Sequence, residues 1–214
     1  GRPMSATPDW LRRGLWSENP VLVHLLGLCP LLAVTNTVVN ALLLGAATLV
    51  VLIATNCVVS LLRGALISSV RIPLFVLIIA SFVTSVDLLI DAWFHDLHVL
   101  IGLFIPLIVT NCTILAQAET VASRHSLGAA LSSAIGTGAG FLGVLLALGA
   151  IRELLGRGTL FSGFDMLLGE RGSILELDLP FDGALAFVLA PGAFFGLAAL
   201  LVLRNTMIAN SGKA

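Results

Sequence analysis

The sequence predicts an all-α membrane protein of six transmembrane helices, arranged as an inverted three-helix repeat with spans one and four broken into half-helices. Three observations predict it. First, 58% of the 214 residues are hydrophobic, the mean hydropathy is +1.07 and only 11% of residues are charged; soluble domains carry about 25% charge and cannot hide so much apolar surface. Second, six stretches approach the roughly 20 apolar residues that a spanning helix needs. Third, a motif recurs. "CPLLAVTNT" from Cys29 and "IPLIVTNCT" from Ile105 both read Pro-Leu, then apolar residues, then Val-Thr-Asn, about 75 residues apart.

The N-terminal segment, residues 1–19, is polar and moderately basic. It lacks an apolar core followed by a small-residue cleavage site, so a cleaved signal peptide is not expected. Trp10, Leu11, Leu15 and Trp16 suit an amphipathic helix on the membrane surface, with Arg12 and Arg13 at lipid headgroups; a loosely ordered tail is the alternative. The membrane domain covers residues 20–203, with spans expected at 20–36, 39–62, 72–92, 97–118, 127–150 and 181–203. An outer loop runs over 151–180, and residues 204–214 form a tail. With the N-terminus inside, Arg2, Arg12, Arg13, Arg63, Arg71, Arg124, Arg204 and Lys213 fall on the inner side, against Arg152, Arg157 and Arg171 outside. Inner loops of membrane proteins are enriched in Lys and Arg, so both termini are expected in the cytoplasm. Three spans per copy is an odd number, so the second copy of the motif crosses the membrane inverted. Such repeats place a functional centre near the midplane, between discontinuous helices.

Composition also excludes. A net charge of -1 argues against nucleic acid, which needs a basic face. Three cysteines, all in apolar segments, do not form a disulfide framework.

The candidate chemistry lies at the breaks. Pro30 removes a backbone donor and clashes with the carbonyl of Leu26, and Gly27 loosens the chain further. Pro106 and Gly102 do the same in span four. At about 1.5 Å per residue, Cys29 lies roughly 12–14 Å from the inner end of its span. Asn36 and Asn111 come just after the breaks and are placed to satisfy freed backbone groups, which lipid cannot do. Two thiols at two half-helices, Cys29 and Cys112, suit a soft metal centre such as iron–sulfur, with two further ligands from a partner; ordinary packing cysteines are the alternative. The two do not align in the repeat, since Cys29 precedes its proline and Cys112 comes after Val-Thr-Asn. Cys57, in a second "TNC", has no proline break before it and reads as a packing residue.

Other candidates read as structural. Asp87 and Asp91, one turn apart near the outer end of span three, suit a solvated role, and Arg152 and Glu153 an interfacial pair. "GAGFLG" (Gly138 to Gly143) matches a nucleotide-binding pattern but lies in a span, which excludes that use. Gly136 and Gly140 have the small-residue spacing of close helix packing.

"NPVLVHLLGLCPLLAVT", "RIPLFVLIIASFV", "IGLFIPLIVTNC" and "IRELLGRGTLF" together resemble the E-subunit family of the Rnf electron-transport complex. That family is related to the D subunit of the sodium-pumping NADH:quinone oxidoreductase. "GLCPLLAVT" and "PLIVTNC" favour the Rnf branch, and the resemblance covers roughly residues 15 to 203. It implies a subunit of a redox-driven translocase of the bacterial inner membrane, moving electrons between ferredoxin and NAD coupled to sodium or proton transfer. It implies pairing with a homologous A subunit of opposite topology and contact with other Rnf subunits. It also implies a shared intramembrane 2Fe-2S cluster ligated here by Cys29 and Cys112. One departure stands out. Where the family carries Gly-Arg-Ala-Glu, this chain has "AQAE", Ala116 to Glu119, so the arginine's role has no counterpart; Glu119 reads as an interfacial or structural carboxylate, with a part in cation or proton movement as the alternative. The competing class is a secondary transporter with a substrate site at the broken helices; a structural scaffold is the third.

Overall fold

The computed structural model describes residues 19–64, 70–93, 95–160, 177–178, 187 and 189–211. The expected surface helix at the N-terminus, most of the 151–180 loop and the last three residues lie outside these. In chain order the elements are α1 (Leu28–Val34), α2 (Val38–Leu62), α3 (Arg71–Trp93) and α4 (His95–Ile101). Next come a 3-10 turn (Ile105–Ile108), α5 (Cys112–Gln117), a π-helical turn (Ala118–Ala122) and α6 (Leu127–Arg157). A minimal antiparallel pair, β1 (Thr159–Leu160) with β2 (Leu177–Asp178), and α7 (Ala190–Ser211) complete the described residues.

Five of these segments are long and apolar enough to cross a membrane: Val38–Leu62, Arg71–Trp93, Ile105–Ala122, Leu127–Arg157 and Pro191–Ala209. The first expected span differs. Residues 20–24 make a turn, with Val23 N–H donating to Asn19 O at 3.0 Å and Leu26 N–H to Pro20 O at 2.9 Å. Leu25 (φ 53°) and Gly27 (φ 74°) then take left-handed backbone that no helix continues through. The next element, α1, has seven residues and is about 10 Å long, against a hydrocarbon core of about 30 Å. The break therefore falls before Cys29, not at Pro30. Pro30 is the third residue of α1, where its missing N–H would have had no partner inside the helix anyway. Span four is broken as expected, into α4, the 3-10 turn and α5. The last helix runs to Ser211, past the expected end at 203, and carries Arg204 within it.

The chain divides into two compact units. The first holds residues 1–30 and 43–144. Its core includes a cluster of Val59, Phe75, Ala118, Ala122 and Ala130, with Ile78, Leu115 and Val121 packed against it. Three alanines in that cluster keep the side-chain layer thin, so α2, α3 and α6 approach the π turn closely. Here α6 meets α2 at Gly138, whose missing side chain makes room for Leu49 and Leu52. The second unit holds residues 31–42 and 145–214. There a Cβ on Gly149 would stand 3.1 Å from the Ala41 side chain and 3.4 Å from Thr37 O.

Candidate functional site

Cys112 is the first residue of α5. Asn111 precedes it as the N-cap, with extended backbone (φ -71°, ψ 110°) and its side-chain oxygen accepting from Thr113 N–H at 3.0 Å. The thiol faces out, and its S–H donates to Thr110 O at 3.9 Å. Asn111 thus performs the role expected of it. Replacing it by alanine removes a cap worth about 1 kcal/mol. Asn111→Ala is expected to lower the thermal unfolding midpoint modestly, while Asn111→Asp, which keeps the accepting oxygen, is expected to recover most of the loss.

Cys29 is the second residue of α1 and is exposed as well. The two cysteines, unaligned in the sequence motif, occupy matching backbone positions: each stands in the first turn of a short helix that begins after a break. The break before one touches the cap of the other. A Cβ on Gly27 would lie 2.7 Å from Thr113 Oγ1, 2.7 Å from Phe141 Cε2 and 3.0 Å from Asn111 Oδ1. Only a residue without a side chain, and tolerant of positive φ, fits there. Gly27, two residues before Cys29, therefore packs on the residues flanking Cys112. Cys57 sits half-buried in the unbroken α2, in keeping with a packing role.

The sequence reading missed Arg152 and Glu153. Both are buried within the chain: Arg152 is 2% exposed and Glu153 0%. Within the second unit they hold the turn between α1 and α2 from both sides. The guanidinium donates to Leu32 O (3.2 Å), Thr35 Oγ1 (2.7 Å) and Asn36 Oδ1 (2.6 Å), and to Phe187 O (3.3 Å). A cation is thus placed at the carbonyl end of α1. Glu153 Oε2 accepts from Val38 N–H at 2.8 Å, placing an anion at the amide end of α2. Each charge meets the helix end whose dipole it opposes, and each satisfies backbone or turn groups that lipid would leave bare. Asn36, expected to bond freed backbone, bonds Arg152 instead. The signal was "RE" directly after a long apolar run, since charges at that depth must be paired or hydrogen-bonded.

Asp87 and Asp91 on α3 meet the histidines of α4. His98 Nε2 lies 2.9 Å from Asp87 Oδ1, and His95 Nδ1 lies 2.8 Å from Asp91 Oδ1. These contacts fasten the α3–α4 corner and fit the structural reading. Glu119 lies in the π turn, where its backbone carbonyl accepts from Ser123 Oγ. Among the described residues no group of three or more His, Cys, Asp or Glu gathers into a metal site.

Apolar helices of spanning length, two of the chain's breaks packed together and charges spent on capping buried helix ends define a polytopic membrane protein built around discontinuous helices. Residues 9–201 match the Rnf-Nqr subunit family of membrane proteins. The chain is 51% identical over 209 residues to the E subunit of an ion-translocating oxidoreductase complex from Shewanella frigidimarina, covering 95% of this chain and 89% of the relative. It is 49% identical over 213 residues to the corresponding E subunit of Vibrio atlanticus (99% and 92% covered) and 50% identical over 202 residues to that of Thioalkalivibrio sulfidiphilus (94% and 89% covered). The chain belongs to the Rnf-Nqr subunit family.

Proposed function

We propose that this chain is a membrane subunit of an Rnf-type, redox-driven ion-translocating complex, a ferredoxin:NAD oxidoreductase, and is not catalytic alone. In it Cys29 and Cys112 supply half the ligands of an intramembrane 2Fe-2S cluster, and a homologous A subunit of opposite topology supplies the other half. The names of the relatives support the class of complex. The observation that carries the cysteine assignment is their placement: two exposed thiols, each on a helix first turn, at two breaks that Gly27 packs together.

The donor set fits such a group. Thiolates are the usual cluster ligands, and a cluster takes four; the two offered here leave two for a partner. A bound cluster would supply a one-electron relay. The chain's own residues do the rest. Asn111 fixes the backbone from which Cys112 projects, Gly27 brings the Cys29 segment against that cap, and the surrounding apolar helices keep water away. In this reading residues 20–34 and 95–117 are the paired broken spans of a six-span inverted repeat, set in a bacterial inner membrane with both termini cytoplasmic. The flavin, NAD and ferredoxin sites belong to other subunits.

The test is electron paramagnetic resonance of the purified, chemically reduced complex. A 2Fe-2S signal lost in Cys29→Ala and in Cys112→Ala, with the other centres of the complex intact, supports the assignment. A signal that survives both changes refutes it.

A further inference from the structure

Three arginines gather at one end of the first unit. Arg63 directly follows α2, four residues after Val59, and Arg71 opens α3, four residues before Phe75. Positions four apart share a helix face, and Val59 and Phe75 both belong to the cluster that holds Ala118, Ala122 and Ala130. Arg124 comes two residues after Ala122. The three cations thus leave one core side by side, and a contact ties two of their segments together: Arg63 Nη1 donates to His125 O at 2.8 Å. None of the three forms an ion pair among the described residues. Arg71 Nε is buried and has no hydrogen-bond partner there. The neighbouring π turn brings one carboxylate, Glu119, and the connection between Gly64 and Val70 reads Ala-Leu-Ile-Ser-Ser, which adds none. The patch keeps an excess of positive charge.

The place of the patch selects its occupant. The spanning segment Val38–Leu62 stops one residue before Arg63, and Arg71–Trp93 starts at Arg71. The arginines therefore stand where apolar spans give way to the headgroup layer. Beside them Ile72 and Val76, four apart on α3, are exposed, so apolar surface runs from the patch down the span. Positive charge at the boundary with apolar surface beneath it matches a phosphate joined to acyl chains. Guanidinium groups grip phosphate oxygens two at a time, and arginines beside spanning helices attract anionic headgroups. A zwitterionic headgroup brings its own ammonium, which unpaired arginines repel. We infer that the end of α2, the start of α3 and the turn after Ala122 form a binding site for an anionic phospholipid. Arg63, Arg71 and Arg124 hold its phosphate, and its acyl chains lie along Ile72 and Val76. The inference does not depend on the cluster assignment.

The experiment uses the intact complex in phosphatidylcholine vesicles that contain phosphatidylglycerol with a photoreactive diazirine in its acyl chain. After irradiation the labelled peptides are mapped by mass spectrometry. Residues 70–77 are expected to be labelled above the other lipid-facing segments of the same complex. Unlabelled phosphatidylglycerol should compete, and inorganic phosphate should not. Each arginine near an anionic lipid is worth about 1 kcal/mol, so Arg71→Gln is expected to lower this labelling about fivefold. Changing Arg63, Arg71 and Arg124 to Gln together should lower it further, while Arg71→Lys keeps more label than Arg71→Gln. No enrichment at residues 70–77, equal labelling by a matched photoreactive phosphatidylcholine, or labelling unmoved in the triple variant overturns the inference. Competition by inorganic phosphate also overturns it, by assigning the arginines to a free anion. Subunit content is measured on the same samples. Wild type unlabelled at residues 70–77, with a neighbouring subunit lost from the triple variant, would show that protein covers the patch instead of lipid.

Discussion

Arg152→Leu is expected to cost about 3 kcal/mol or more, the effect of stranding several buried hydrogen-bonding groups at once. Leu32 O at the end of α1, Asn36 Oδ1 in the turn and Phe187 O would all lose the same donor. No lipid or neighbouring apolar side chain can replace it. Arg152→Lys keeps the charge but cannot span acceptors that a planar guanidinium reaches together, so it is expected to recover only part of the loss. Glu153→Gln should be far milder, because an amide oxygen still accepts from Val38 N–H. Denaturation of the purified complex, together with the amount assembled in the membrane, measures all three. Near-native stability in Arg152→Leu would mean that the turn between α1 and α2 is held by something else.

Gly27→Ala carries the second large effect, for a different reason. A left-handed backbone costs a residue with a Cβ about 1–2 kcal/mol, and crowding a packed interior adds typically about 1–3 kcal/mol. The added methyl would press on the Phe141 ring, Thr113 Oγ1 and Asn111 Oδ1. The expected result is a loss of about 2–4 kcal/mol together with displacement of the Cys29 segment from the Cys112 cap. In the purified complex this should show as a lowered unfolding midpoint and an altered cluster spectrum. Adding Phe141→Leu is expected to restore some stability, since it removes one of the three contacts but not the backbone strain. Wild-type stability and spectrum in the single variant would show that the two breaks need not touch.

The helical membrane class was legible in composition, because apolar runs of spanning length have few other uses. The repeat located both breaks, yet it misplaced the first. Pro30 reads locally as a helix breaker, yet a proline in a first turn is compatible with a helix start. Gly27 was the better signal, since its position demands positive φ and close contact. The sequence pattern also set Cys29 and Cys112 in different places relative to their motifs; their equivalence exists only in the backbone, as first-turn residues of α1 and α5. Asn111 was legible because asparagine before a helix is a local capping signal. Arg152 and Glu153 were not, because all their named partners but Phe187 lie over 100 residues away in the chain. Local reading assigns a charge near a helix end to the interface, whereas only tertiary packing reveals which helix end it caps.

The cysteine assignment is tested most directly by counting iron. The purified complex is assayed for iron per complex in wild type and in Cys29→Ala, Cys112→Ala and Cys57→Ala. Loss of one 2Fe-2S cluster removes two iron atoms. That deficit is expected in Cys29→Ala and in Cys112→Ala, with Cys57→Ala at the wild-type count. Wild-type iron in either of the first two variants, in a complex that still assembles, would contradict the account.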